Sequence, residues 1–179
     1  MNKGKAILLV LALVLPVSVF LFLKFFGKNE FAVEPFYVNE LPEGLHERCS
    51  FAYTLPYLVP EHILSGLSWS MEDSLTLFCF VEPHQKNLLK RISERYQQPQ
   101  LKIVSVNSGD SAHFHPNIED VMPPIDSLDV WKPCFLFIKG PNDLLLVDRQ
   151  RRIRGSYQLD NRDEVDRLMV ELSIILKLY

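Results

Sequence analysis

Glycine is scarce in this chain, seven residues in 179, and no two glycines stand close together. A phosphate-cradling loop needs several glycines within one turn, so nucleotide chemistry of that kind is excluded. Gly-x-Ser-x-Gly and His-Glu-x-x-His are also missing, which removes the support for conventional serine hydrolase or zinc protease chemistry. There are three cysteines, Cys49, Cys79 and Cys134, and none falls within a Cys-x-x-Cys or Cys-x-x-x-Cys motif. A dithiol oxidoreductase needs a low-pKa thiol with a resolving partner, and the sequence offers no such pair. An excess of positive charge is lacking too: the formal net charge is −3, and because residues 1 to 28 carry four lysines and no acid, the remainder stands at −7. That balance argues against a nucleic-acid partner. No segment repeats at a fixed period, and the length suits one domain with a buried core.

A long apolar run is present at the start. From Ala6 to Leu23 there is no charged residue, and Phe25 and Phe26 continue the character past Lys24. Roughly 20 apolar residues suffice for a helix to cross a bilayer core. A cleaved secretion signal would end at a small-x-small site, and "LKFFGKNEF" offers none, so residues 1–28 read as a retained transmembrane anchor. Pro16 at mid-span is tolerated there. Lys24 and Lys28 nearly balance Lys3, Lys5 and the amino terminus, so positive-inside counting barely decides the orientation.

Residues 29–48, with Pro35 and Pro42 and no sustained helical period, read as a tether, and residues 49–179 as the folded domain. "CSFAYTLPYLVPEHILSGLSWS" is broken by Pro56, Pro60 and Gly66 and predicts an edge hairpin or irregular cover. "SLTLFCFVE" is a continuous apolar run of the length of a strand buried on both faces. Pro83 suits a first helical position, and Leu88, Leu89, Ile92 and Tyr96 recur at helical spacing until Pro99. "LKIVSVNSG" follows as a second strand, completing a βαβ unit with a parallel pair. Residues 109–130 predict a long crossover with one short helix. "PCFLFIKG", "LLLVD" and "IRGSYQ" predict an antiparallel hairpin or meander. In the closing helix Asn161 caps the start, Glu164 follows three residues on, and Val165, Leu168, Met169, Leu172, Ile175 and Leu176 form the buried stripe.

Strand, helix, strand, crossover, hairpin and terminal helix is the order of a thioredoxin-like α/β sandwich, a central mixed sheet flanked by helices. "LLLVDRQRRIRGSYQLDNRDEVDRLMVEL" resembles the C-terminal signature of the Sco/SenC family of membrane-anchored copper proteins, in which a Leu-Val-Asp strand turns into an Ile-Arg-Gly strand before the last helix. "LVLPVSVFLFLKFFGKNEF" is similar to the family's anchors, and "LLKRISERYQQPQLKIVSV" to the helix and strand after its metal-binding loop. The likeness covers the anchor, the first βαβ unit and the last thirty-odd residues; it is poor between Gly109 and Val130. It implies a single-pass protein of the cytoplasmic (inner) membrane with its domain on the periplasmic side. The implied role is holding copper for respiratory cytochrome c oxidase, or reducing the thiols of the oxidase's copper site, with oxidase subunits as partners.

The family's copper motif, Cys-x-x-x-Cys at the strand-to-helix loop plus a histidine before the Leu-Val-Asp strand, is not matched. Here the loop reads "FCFVEPHQKN", and "FIKGPND" precedes "LLLVD". No cofactor is firmly predicted, and copper enters only through the resemblance. The substitutes on offer are Cys79 and His84 beside the loop, and His113 and His115 in the crossover; a thiolate with imidazoles makes a competent copper or zinc site. Against that, Cys79 shares strand parity with Leu75, Leu77 and Val81, the position of a buried structural cysteine. In an oxidising compartment two of the three cysteines can pair, but sequence does not say which. Two functions follow: a non-enzymatic oxidase-assembly or copper-handling factor with a degenerate site, or a thiol redox protein using Cys79 with another cysteine.

Overall fold

A computed structural model describes residues 3–26, 32–80, 86–96, 100–106, 117–140 and 143–177. The chain divides into two compact units, Met1–Ala32 and Val33–Tyr179. In the first, α1 (Lys3–Phe26) is one 24-residue helix. Among the described residues no helix is long and apolar enough to cross a membrane. Within α1 the side chains of residues 3, 6–10, 23, 25 and 26 lie outside the described set, and Leu11, Leu13, Phe20 and Phe22 are each more than 60% exposed.

The second unit is α/β. Its elements in order are α2 (Leu45–Arg48), α3 (Glu61–Ser65), β1 (Leu75–Cys79), α4 (Lys86–Arg95), β2 (Lys102–Val106), β3 (Ile118–Val121), α5 (Ile125–Cys134), β4 (Leu144–Asp148), β5 (Ile153–Tyr157) and α6 (Arg162–Ile175). The strands form one mixed sheet in the order β3-β2-β1-β4-β5. β1 pairs in parallel with β2, which pairs in parallel with β3; β1 and β4, and β4 and β5, are antiparallel. All five residues of β1 and of β4 are buried, as the uninterrupted apolar runs require of strands covered on both faces.

Period-two alternation sorts their side chains between two clusters. Leu75, Leu77 and Cys79 of β1 and Leu144 and Leu146 of β4 meet Leu89, Ile92 and Tyr96 from the α4 segment and Leu168, Leu172 and Ile175 of α6. Phe78, Leu145 and Val147 face the other way, onto Leu128 of α5, Leu136 and Phe137 beyond it, and Val59, Ile63, Leu64, Leu67 and Trp69 of the cover. Each fully buried leucine contributes about 1.5–3 kcal/mol from its transfer out of water. The sheet is therefore held by two half-cores of unlike origin, regular helices on one side and largely irregular chain on the other.

Several expectations need correction. "PCFLFIKG" is no strand: its first residues close α5, with Pro133 inside the helix, and the rest is a loop in which Phe137 has φ 51°. Its apolar character comes from burial of Leu136 and Phe137 against the sheet, and a short apolar run does not distinguish that from a strand. The crossover contains an edge strand, β3, whose "IEDV" carries two acids and gave no strand signal. From Val33 onward the segment read as a tether packs on the domain. Phe36 N–H donates to Ile153 O at 2.8 Å, Tyr57 N–H donates to Tyr37 O at 2.9 Å, and Leu45 is buried. Of the two alternatives for residues 49–69, edge hairpin or irregular cover, the chain takes the second, with the short α3.

Asp148 organises the β4–β5 turn from a fully buried position. Its Oδ1 accepts from the N–H groups of Gln150 (2.9 Å) and Arg152 (3.0 Å), while Oδ2 accepts from Arg152 Nε at 2.7 Å and lies 3.6 Å from Arg154 Nη1. A buried carboxylate persists only with such pairing. Leu146 pairs with Gly155 and Val147 with Ile153, so Arg154 is the extra residue of a β-bulge. The bulge keeps both halves of β5 in phase with β4, and the freed guanidinium reaches Asp148 and the carbonyl of Val33. At the far end of β5, Asn161 accepts from Asp163 N–H at 3.0 Å to cap α6. Glu164 pairs with Arg167 at 2.6 Å instead of closing a capping box.

Candidate functional site at the carboxyl end of the parallel strands

Ligands of open α/β sheets bind outside the carboxyl ends of the parallel strands. In this fold that edge is where β1 ends at Cys79 and β4 begins at Leu144, its partner in register. Beyond Cys79, Phe80 N–H donates to Asp143 O at 2.7 Å, and Asp143 N–H donates to Tyr157 O at 3.1 Å. Three strands are thereby stitched together around Asp143.

Cys79 is fully buried among leucines on the α4–α6 face, with Sγ 3.8 Å from Leu77 O. Burial first, and the negative charge of Asp143 second, push its thiol up. A thiol so placed forms little thiolate at neutral pH, which makes it a poor nucleophile.

Asp143 is the titratable group with most chemical latitude. Burial is the main cause that raises its carboxyl above the ordinary range, and the charge of Asp160 adds to it; the Leu159 N–H and Lys132 pull the other way. Oδ1 is buried and without a hydrogen-bond partner among the described residues. Lys132 places Nζ 5.0 Å from the Phe80 ring centroid, a cation over an aromatic face. A carboxyl that holds its proton more tightly than usual, an ammonium and an aromatic ring thus flank the strand end, an arrangement able to exchange a proton.

Of the expected metal residues, Cys79 is placed as described. His84, His113 and His115 lie outside the described residues, within 81–85 and 107–116. Among the described residues no three histidine, cysteine or acidic side chains gather as a metal site. The two other cysteines are brought together: Cys49 and Cys134 form a disulfide with Cα atoms 5.6 Å apart, inside the usual range. Both belong to the cluster on the opposite face of the sheet from Cys79, so the fold does not unite Cys79 with either.

Asp143 lies in "FIKGPND", a stretch that in the sequence stands out only for lacking the family's histidine. The available signal was its position directly ahead of a fully apolar strand, which forces a charged side chain to the mouth of the core. Lys132 and Asp160 carried no such mark, because they come from separate elements. No protein-family model and no curated protein matches the chain.

Proposed function

We propose that this chain is a membrane-anchored, thioredoxin-like protein of Sco type that serves respiratory cytochrome c oxidase assembly or copper handling through protein contact, with the usual dithiol copper site degenerate. The observation that carries the reading is the strand plan. A parallel β1–α4–β2 unit is followed by an antiparallel β4–β5 hairpin and a terminal helix, and the Leu-Val-Asp and Ile-Arg-Gly segments form that hairpin.

What supports a non-redox role is the thiol inventory: one buried cysteine with a raised pKa and two joined to each other. The disulfide supports a domain outside the cytoplasm, because such bonds persist in oxidising compartments. The charge-free run from Ala6 to Leu23 and the exposed apolar side chains of α1 support the anchor. The second reading, a redox protein using Cys79, would require the disulfide to open and Cys79 to leave its core.

The deciding experiment is a titration of residues 29–179 with Cu(I) against a competing chelator. The expected outcome is no copper retained at chaperone affinity, because no thiolate pair is available. Retention of one copper per chain, lost in Cys79→Ser, would sink the proposal and promote a site of Cys79 with His84, His113 and His115. Deleting the gene and measuring oxidase assembly then tests the biological role.

A further inference from the structure

We propose that the groove formed by the strap of residues 33–43 is a docking site for an extended segment of another protein, one carrying lysine or arginine beside apolar side chains. The inference rests on the reading that this domain works by contact, and not on which protein it contacts. The groove has a volume of about 1110 Å³ and runs along the strap to Pro56 and Arg152.

Its wall is fixed. Phe36 N–H is bonded to the edge strand β5, Tyr37 O accepts from Tyr57 N–H, and the Tyr37 ring meets Phe137 edge-on at 4.9 Å. With Tyr37 turned inward, Phe36 and Val38 are turned out, 38% and 40% exposed. Large apolar side chains held out on a rigid, concave surface are a feature of protein-docking sites.

Charge selects the occupant. Glu34, Glu40 and Glu43 are exposed around the groove, and none is ion-paired among the described residues. Arg152 is paired with the Asp148 carboxylate at 2.7 Å, while Lys139, bonded to the backbone carbonyl of Glu43 at 3.3 Å, stands at the rim and offsets one of the three carboxylates. A rim of this sign attracts a basic segment and steers its encounter. Anionic lipid headgroups would be repelled. A second copy of this chain would set like charge against like.

The test uses the full chain in phosphatidylcholine nanodiscs and two fluorescein-labelled peptides of about ten residues, alternating leucine with lysine or with glutamate, read by fluorescence polarisation. The lysine peptide binds, the glutamate peptide does not, and binding weakens as salt rises from about 0.05 M to 0.5 M. The triple variant Glu34→Gln, Glu40→Gln, Glu43→Gln weakens it about tenfold, at three exposed positions where folding is not at stake. Phe36→Ser also weakens it, with an unchanged thermal melt. No binding of the lysine peptide, equal binding by both peptides, an unaffected triple variant, or binding fully accounted for by empty nanodiscs overturns the proposal. So does self-association of the chain that the triple variant abolishes, which would assign the groove to a second copy. Any of these leaves the oxidase reading standing, because that reading is judged by assembly in the cell.

Discussion

Replacing Gly155 with alanine should unfold much of what α6 contributes. A Cβ at this position would lie 2.0 Å from the Tyr157 hydroxyl oxygen and 2.4 Å from Cζ, far inside van der Waals contact. The Tyr157 ring folds back over Gly155 and cannot step aside easily: it is fully buried, its hydroxyl donates to Glu171 Oε2 at 2.5 Å, and the Arg167 guanidinium stacks 4.6 Å from its centroid. Displacing it forfeits about 2 kcal/mol of apolar burial. The bond to a carboxylate is worth about 1.5 kcal/mol more, and the stacking about 0.5 kcal/mol, since Arg167 is 40% exposed. A loss near 4 kcal/mol is a large share of the roughly 5–15 kcal/mol that holds a domain together. Urea unfolding followed by the fluorescence of buried Trp69 measures it. The control is the same substitution in a Tyr157→Ala background. Gly155 does not have a left-handed φ, so alanine fits there once the ring is gone and should cost under about 1 kcal/mol. Equal costs in the two backgrounds would refute the reasoning and place the strain in the backbone.

Two further outcomes follow from the charges and the disulfide. Replacing Cys49 and Cys134 together with serine frees a loop of 85 residues, and chain entropy alone puts the loss near 4.5 kcal/mol, measurable by the same denaturation; a loss under about 1 kcal/mol would mean the cover is held without it. Asp143 has its carboxyl raised from the ordinary 3.8, so the folded chain binds its proton more tightly than the unfolded chain does. Its stabilising contribution is complete below 3.8 and is lost as pH rises through the folded-state value. Asp143→Asn should therefore melt above the parent at neutral pH, with the difference shrinking toward about pH 3; a flat or inverted difference would contradict the burial argument.

Much of the scaffold was legible in the chain itself. β1 and β4 announce themselves because a strand buried on both faces must be apolar throughout, and α6 because a helix on a core must repeat its apolar residues at 3.6. Asn161 was readable as a cap for the same local reason, since its side chain serves an N–H two residues away. Where the signal was ambiguous, burial decided. Leu136 and Phe137 are as apolar as strand residues yet fill a loop under the sheet, and the polar "IEDV" is a strand only because β2 offers it an edge to pair with.

The sequence by itself determined which residues must be hidden and which local turns are possible, because hydrophobic period and capping act over a few residues. Only the tertiary structure decided which cysteines meet, that Arg154 bulges out to serve Asp148, that the 33–43 strap is a wall and not a tether, and that Asp143 gathers Lys132 and Asp160 beside Cys79. Each of these joins groups far apart in the chain, and such neighbours are set by the order and register of the strands, which no local pattern encodes.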